Sequence, residues 1–574
     1  MNQSAFFING LHFNNLRGDI YGGLTAAVVA LPLALAMGVT SGAGPIAGIY
    51  GAIFVGFFAA IFGGTPAQVS GPTGPMTVVM ALIFTQFTSL FPDDPAAGAA
   101  LAFTVVIMGG LFQIAFGLLK IGKYIQLVPH PVVSGFMSGI GVIIILLQLA
   151  PILGHDSPAK PLDAATQIPD FLADPMQTAM ILGALTLLVV YLIPRLLPRV
   201  NKFIPAPLLA LIIGTGFYLL FMDKDTAIYL LFIGKSAAPI LGSIPSGLPS
   251  PQLPTIMLEH LPSMITSALI LAALGSIDSL LTSLVADNVT RTYHKSDREL
   301  IGQGIGNTMA GIFGGLPGAG ATMRTVVNVK AGGSTPISGA LHAVVLLFIV
   351  LGAGSLASDI PKAVLAGILI KVGTDIIDWD YLKKIRRAPL AGVGIMLVVL
   401  LMTVFVDLII AVGTGMVISS FIFLKRMTDL QIESLTVTTS DKTEMPLNDN
   451  EKEIMANAGG RILLFSLGGP MSFGSAKGMV KMLSNYKNYD VIIIDVSIVP
   501  LIDYTSCRAL EEIITEAQSL QRQVMLVGAK GRALAMLQKQ RITDLVNAEN
   551  TFALREPAMA SALEHVKLSG IIEN

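Results

Sequence analysis

Asp278 lies in the apolar stretch ITSALILAALGSIDSLLTSLV, residues 265–285. A carboxylate deep in such a segment is costly and marks a functional site by default. Thr282 follows four residues on, so both side chains project from one helix face. A carboxylate and a hydroxyl are hard oxygen ligands that suit Na+, and the carboxylate alone suits a carried proton. Further ligands are on offer from backbone carbonyls of a broken segment, such as those of Gly320 and Thr322. The bland alternative pairs Asp278 structurally with a hydroxyl or an arginine.

The broken segment is GGLPGAGATMRTVV, Gly314 to Val327. Its glycines and Pro317 cannot sit in an ordinary spanning helix without freeing backbone polar groups. In hydrocarbon those groups must face protein or a water-filled cavity. A short helix starting after Pro317 and running through Thr322, Met323, Arg324 and Thr325 would open inside the membrane. Its N-terminus, with unpaired N–H groups and the positive dipole end, would make an anion site. SGPTGPMTV, Ser70 to Val78, repeats the pattern upstream. Two interrupted segments roughly 250 residues apart, in matching halves, point to the substrate site of an inverted-repeat transporter. Thr73, Gly74, Ala321 and Thr322 occupy the first turns and supply the expected anion donors. Arg324 either neutralises Asp278 or adds positive potential for the anion.

The elements that must position these groups are membrane helices. The chain has 574 residues, 53% hydrophobic and 13% charged, against about 25% charged in soluble proteins. Mean hydropathy is +0.72. A polytopic α-helical membrane protein is expected. Apolar runs lie near residues 20–39, 45–62, 73–90, 99–119, 131–153, 177–194 and 205–222. After a Pro/Ser/Gly-rich connection (223–262), seven more lie near 263–286, 300–314, 318 onward, 335–356, 360–376, 389–406 and 408–424. With a cytoplasmic N-terminus, the inside connections carry Arg17; Lys120 and Lys123; Arg195, Arg199 and Lys202; Arg291, Lys295 and Arg298; Lys330; Lys383, Lys384, Arg386 and Arg387; and Lys425 and Arg426. The outside ones hold acids: Asp93, Asp94, Asp156, Asp163, Asp170, Asp174, Asp223 and Asp225. This positive-inside bias implies fourteen spans with both termini cytoplasmic. No signal peptide is recognisable, so the first span would direct insertion.

Other polar residues read as structural. Gln113 and Gln148 suit bonds between helices, and His130 and His342 suit helix-end or packing roles. Asp287, Asn288 and Arg291 suit a solvated helix end. Cys507 is the single cysteine, so no intrachain disulfide forms, and no Cys/His cluster has metal spacing. A net charge of −1 gives no reason to expect nucleic acid. No nucleophile–base pair appears, so an enzyme is not expected.

Residues 1–427 form the expected transport domain and 428–459 a linker with a possible edge strand. From Arg461 apolar strands (462–465, 490–496, 524–527) alternate with helices (474–483, 507–520, 533–540). That order predicts a small α/β domain over 460–574. Asp503, Thr505 or Ser506 would cap a helix after the 490–496 strand, and a hydroxyl there offers a phosphorylation site.

On SGPTGPMTV (70–78), GSIDSLLTSLVAD (275–287), GQGIGN (302–307) and GGLPGAGATMRT (314–325), the chain resembles the SulP family of anion transporters. Its C-terminal part resembles a STAS domain. The resemblance implies a seven-plus-seven inverted repeat with core and gate subdomains, a homodimer, an elevator-like movement, and an anion between the third and tenth helices. Within the family it is most similar to the cyanobacterial, BicA-type branch of Na+-dependent bicarbonate transporters. That likeness implies a Na+ site at Asp278, Thr282, Gly320 and Thr322, and bicarbonate contacts at Thr73, Ala321 and Thr322. Residue 71 is Gly where an acidic residue is expected in that branch. Tyr504 stands where STAS antagonists carry a serine, so a serine switch does not transfer.

The expected function is Na+-coupled bicarbonate uptake across the cell's inner (plasma) membrane, with a possible cytoplasmic protein partner for the STAS domain. The competing readings are proton-coupled sulfate or dicarboxylate transport, an uncoupled anion channel, and a membrane sensor whose STAS domain binds a partner.

Overall fold

The computed structural model describes residues 9–125, 128–158, 160–222, 238–241, 250–353, 358–406, 408–440 and 445–572. Asp223 and Asp225, and much of the connection between the halves, lie outside them. The chain divides into two compact units, Met1–Met416 and Val417–Asn574.

The first unit is helical. Its long or apolar helices are α1 (Leu16–Thr40), α2 (Pro45–Phe62), α3 (Gly74–Ser89), α4 (Pro95–Leu118), α5 (His130–Ile152), α6 (Gln177–Leu196) and α7 (Ala206–Phe217). They continue with α8 (Leu261–Thr290), α9 (Ser296–Ile312), the nine-residue α10 (Thr322–Lys330), α11 (Pro336–Ala353), α12 (Lys362–Ile376), α13 (Leu390–Phe405) and α14 (Leu408–Glu433). Among the described residues, seven helices are long and apolar enough to cross a membrane, and shorter apolar ones accompany them. Short helices such as Pro161–Thr166 and Trp379–Lys383 join them.

Helix entry points follow local chemistry. Proline occupies the first turn of α2, α3, α4 and α5, where its missing N–H costs nothing. Small residues let helices approach closely. A Cβ on Gly110 would lie 2.5 Å from the Thr308 backbone N, and one on Gly302 would lie 2.3 Å from the Gly63 N. Such contacts pack α4 and α2 against α9, as small residues do inside membranes.

Two extended pairs interrupt the helices. β1 (Ser70–Gly71) precedes α3 and β2 (Ala319–Gly320) precedes α10, and they pair antiparallel, Ser70 with Gly320 and Gly71 with Ala319. The short second helix, expected to start soon after Pro317, begins only at Thr322, because residues 319–320 are spent on this pairing.

The division between the units falls within α14, which runs past the expected boundary at 427/428 to Glu433. Residues 428–440 and 445–459 hold more regular structure than the one possible edge strand expected of them. They hold the end of α14, the strand β3 (Thr436–Thr438) and the helix α15 (Asp449–Asn457). The second unit is built on one sheet ordered β3, β4 (Ile462–Gly468), β5 (Val491–Ile498), β6 (Gln523–Val527) and β7 (Thr551–Phe552). β3 is the antiparallel edge and the other pairings are parallel. Helices α16 (Phe473–Leu483), α17 (Tyr504–Ser519) and α18 (Gly531–Lys539) cover one face, burying Met479, Leu510 and Leu537 against Phe465 and Ile494. α15 and α19 (Arg555–Ile572) cover the other through Met455 and Met559, against Leu464 and Ile493. Strands buried on both faces explain their unbroken apolar runs.

Candidate functional site

The β1–β2 pairing sets the N-termini of α3 and α10 side by side, with α8 packed across them. Thr73 is the N-cap residue of α3 by position, yet its side chain caps nothing there. Its hydroxyl instead donates to Asp278 Oδ2 at 2.7 Å. The first intrahelical bond of α3 runs from Thr77 N to Thr73 O at 2.9 Å. Pro75 has no N–H, so the donors left at this end belong to Gly74 and Met76. In α10 the cap position is Ala321, again without a side-chain cap. Ala321's own N–H donates to Val69 O at 2.9 Å, so it is not a free anion donor. The uncommitted turn is formed by Thr322, Met323 and Arg324.

Thr282 meets Gly320 and Thr322 of the broken segment, but Thr322 presents its hydroxyl where its carbonyl is the expected ligand. Thr282 Oγ1 donates to Gly320 O at 2.8 Å and lies 2.7 Å from Thr322 Oγ1. Asp278, 6% exposed, and fully buried Thr282 stand one turn apart on α8. The two hydroxyls and the carbonyl, with the Asp278 carboxylate one turn along α8 from Thr282, would make a hard, oxygen-only set. Its single negative charge fits a monovalent cation better than a transition metal. Among the described residues no group of three His, Cys, Asp or Glu could hold a metal.

Arg324 is buried at 2% exposure. Its Nη2 donates to the Pro72 carbonyl, while its Nη1 has no partner. No ion pair joins it to Asp278 among the described residues. A buried guanidinium nitrogen without a partner carries a desolvation penalty that an anion would relieve. Gly71 explains the space: its φ is +153°, and a Cβ there would lie 2.6 Å from Arg324 Nη1. Glycine at 71, in place of an acid, leaves room for this guanidinium.

A second layer went unread in the sequence. Ser279 Oγ accepts from Gly320 N at 3.1 Å. Glu299, 1% exposed, accepts from Gly64 N, Gln68 Nε2 and Gln303 Nε2, each at 2.8 Å. Gln303 Nε2 also donates to Ser70 Oγ of β1 at 2.6 Å, and Gln68 Oε1 accepts from Ser283 of α8 at 3.0 Å. Glu299 thereby ties β1 to the helix that carries Asp278. Asn307 holds the loop before β2 through Gly318 N and O, and also donates to Gln113 Oε1 at 2.9 Å. The signal was present: GQGIGN contains Gln303 and Asn307, at helical spacing from Glu299.

The residues read as structural fall accordingly. Gln113 and Gln148 bond between helices, Gln148 Nε2 to Thr40 Oγ1 at 3.2 Å. Asp287 is the exception to the solvated helix end expected there: its side chain is 14% exposed and pairs with His294 at 2.7 Å at the end of α8. His130 begins α5 and lies 5.7 Å from the Tyr381 ring. His342 is packed out of solvent. In the second unit Asp503 caps α17 through Ser506 N at 2.8 Å, and Ser506 is buried.

Comparison with known proteins fixes the family. A sequence profile described as the Sulfate permease family matches residues 16–399, and a STAS domain profile matches 453–554. The chain belongs to the sulfate permease (SulP) family. Two proteins named bicarbonate transporter BicA, from Picosynechococcus sp. and Synechocystis sp., are 45% and 46% identical, each over 97% of this chain and 96% of its own. The putative sulfate transporter YvdB of Bacillus subtilis is 29% identical over 95% of this chain and 97% of its own. The solved transmembrane domain of a cyanobacterium bicarbonate transporter BicA is 50% identical, covers 71% of this chain and 100% of its own, and superposes with a TM-score of 0.64. Murine Solute Carrier 26 family member A9, an anion transporter solved in the inward-facing state, is 17% identical over 96% of this chain and 92% of its own. Its TM-score of 0.79 shows the shared fold. The chain is therefore a multi-pass membrane transport protein, not an enzyme, with a C-terminal STAS domain.

Proposed function

We propose that this chain takes up bicarbonate across the plasma membrane, coupled to Na+. The observation that carries the reading is the meeting of two uncapped helix N-termini with the oxygen cluster of Asp278, Thr282, Gly320 and Thr322. The anion occupies the space before the first turns of α3 and α10. There the N–H groups of Gly74 and Met76 and those of Thr322 and Met323 donate to it, while Thr73, whose hydroxyl donates to Asp278, lines it. Ala321 lines this space. Na+ takes the Asp278 carboxylate, the two threonine hydroxyls and the Gly320 carbonyl. Its charge offsets that of Asp278, while Arg324 offsets the anion, so the loaded site approaches neutrality in a low-dielectric medium. Na+ bound first raises affinity for the anion, and the anion raises affinity for Na+ by the same factor. That reciprocity is what gradient coupling requires.

In this reading the fourteen spans form a seven-plus-seven repeat with both termini cytoplasmic, residues 1–427 carry the anion and residues 460–574 form the STAS domain. The core bearing the site moves against the gate helices in an elevator-like step, within a homodimer. The relatives named bicarbonate transporters, at 45% and 46% identity, favour bicarbonate over the sulfate of the 29% relative's name. Uptake of labelled bicarbonate and labelled sulfate into proteoliposomes, with and without a Na+ gradient, tests this. Bicarbonate accumulation that needs Na+ supports it. Sulfate accumulation driven by a proton gradient would recast Asp278 as a proton carrier.

A further inference from the structure

A cavity of about 200 Å3 lies on the side of the proposed anion site away from β1 and β2. It is lined by the C-terminal end of α1, the later turns of α3 and α5, and the first turns of α12. On α3 its lining residues are Ala81 and Thr85. They stand about 10 and 16 Å along the axis from Gly74, at 1.5 Å per residue. The walls are continuous with those of the site. A Cβ on Gly74 would lie 2.7 Å from Ile144 of α5 and 2.9 Å from Ile376 of α12. Gln148 continues the Ile144 face of α5, and Leu369, Leu365 and Lys362 continue the Ile376 face of α12.

Two polar ties join the walls of this cavity. Gln148 of α5 donates to Thr40 of α1 at 3.2 Å. Lys362 Nζ donates to Asp156 Oδ1 at 3.1 Å, and Lys362 is the one Lys or Arg among the lining residues. The Asp156 side chain is 91% exposed, so its hold on Lys362 is weak and screened by salt. Lys362 can exchange this partner for another anion at little cost.

We propose that this cavity is the closed outer mouth of the transport path, with Lys362 as a loading site for a small oxyanion. Asp156 occupies the ammonium while the mouth is shut. An arriving oxyanion displaces Asp156, and parting of Gln148 from Thr40 opens the way along α3 to the half-helix N-termini. The inference rests on the proposed transport reading and its orientation, with this end of α12 outside.

The test uses the full chain in proteoliposomes and a cysteine at the mouth, since native Cys507 is buried. Lys362→Cys should raise the half-saturating anion concentration about fourfold, the Coulomb factor for unit charges some 5 Å apart in water. The maximal rate should be kept. A membrane-impermeant cationic methanethiosulfonate added outside should restore the wild-type value, its anionic counterpart should not, and Lys362→Arg should resemble wild type. An unmoved half-saturation in Lys362→Cys, or equal effects of the two reagents, would overturn the proposal. The labelled anion is whichever of bicarbonate or sulfate the wild-type chain accumulates. A chain that carries sulfate alone thus sinks the bicarbonate reading while the mouth is still judged by the same two criteria.

Discussion

Thr282 is the sharpest place to press the proposed cation site. Its hydroxyl is fully buried, 2.8 Å from the Gly320 carbonyl and 2.7 Å from the Thr322 hydroxyl. Thr282→Val keeps the shape and replaces this oxygen by a methyl group. The Gly320 carbonyl and Thr322 hydroxyl then lose a buried partner, and the cation loses one of four oxygens. Leaving a buried polar group unsatisfied costs about 1–3 kcal/mol. At 1.4 kcal/mol per decade, that is about 5- to 140-fold in the Na+ concentration needed for half-maximal bicarbonate uptake. Saturating Na+ should recover most of the rate, because the anion's donors are untouched. Thr282→Ser, which keeps the oxygen, should stay near wild type. The assay is initial uptake into proteoliposomes across a Na+ titration. An unchanged Na+ requirement in the valine variant would remove Thr282 from the cation site. An equal rise in the serine variant would mean that packing, not the oxygen, is at work.

Gly71→Ala should drive Arg324 off the Pro72 carbonyl, since its Cβ would lie 2.6 Å from Nη1 and 3.2 Å from Ala52 Cα. Overpacking of this kind costs about 1–3 kcal/mol. A lowered melting temperature with weaker anion affinity is expected, and a variant unaltered in both would refute the crowding argument. Glu299→Gln sets an amide N–H2 among three donors, so melting temperature and uptake should both fall, with about 1–3 kcal/mol lost per orphaned donor. Wild-type stability in this variant would show that the Gln68–Glu299–Gln303 ties are dispensable. In the second unit, burial pushes the Glu451 pKa up, but the Arg555 hydrogen bonds, the Asn448 N–H and the Arg555 charge together bring it below the ordinary 4.5. A lowered folded pKa stabilises above the unfolded value, and that stability is lost as pH falls through the folded one. Hydrogen exchange over residues 449–572 should therefore quicken on acidification below the ordinary value. Arg555→Met should flatten that limb, and an unchanged limb would discharge the pair.

Periodicity carried the helices well because lipid leaves the backbone few options. The run expected at 45–62 is α2 (Pro45–Phe62), and the one expected near 177–194 is α6 (Gln177–Leu196). The broken segments were legible for the same reason, since glycine and proline at that depth have no bland explanation. The pairing of β1 with β2 was not legible. Two-residue strands leave no periodic trace, and their partners lie some 250 residues apart, a separation that local pattern cannot bridge. Glu299 drew no reading in the sequence because it directly follows Arg298, among the charges of a cytoplasmic connection. Only the fold shows it buried, with three donors converging on it. The helix α15 was missed because charged segments look like linker until the capping box of Asn448 and Glu451 is seen to start a helix.

What distinguishes this site is the diversion of its capping groups. Ordinarily a threonine at an N-cap satisfies the backbone of its own helix. Here the Thr73 hydroxyl is taken by Asp278. Ala321 has no capping group at all. Both half-helices are thus left with unanswered N–H groups at the one place where their positive ends meet. An isolated helix end would not tolerate that, and α10, at nine residues, is too short to be stable alone. The β1–β2 pairing and the Glu299 ties hold the geometry that the helices could not hold for themselves. Stability supplied by this second layer lets both helix ends keep backbone donors uncapped, and Arg324 lies against a glycine with one nitrogen unpartnered. In the proposed reading, a site built this way gains most when anion and cation bind together, because each answers groups that the fold has left unanswered.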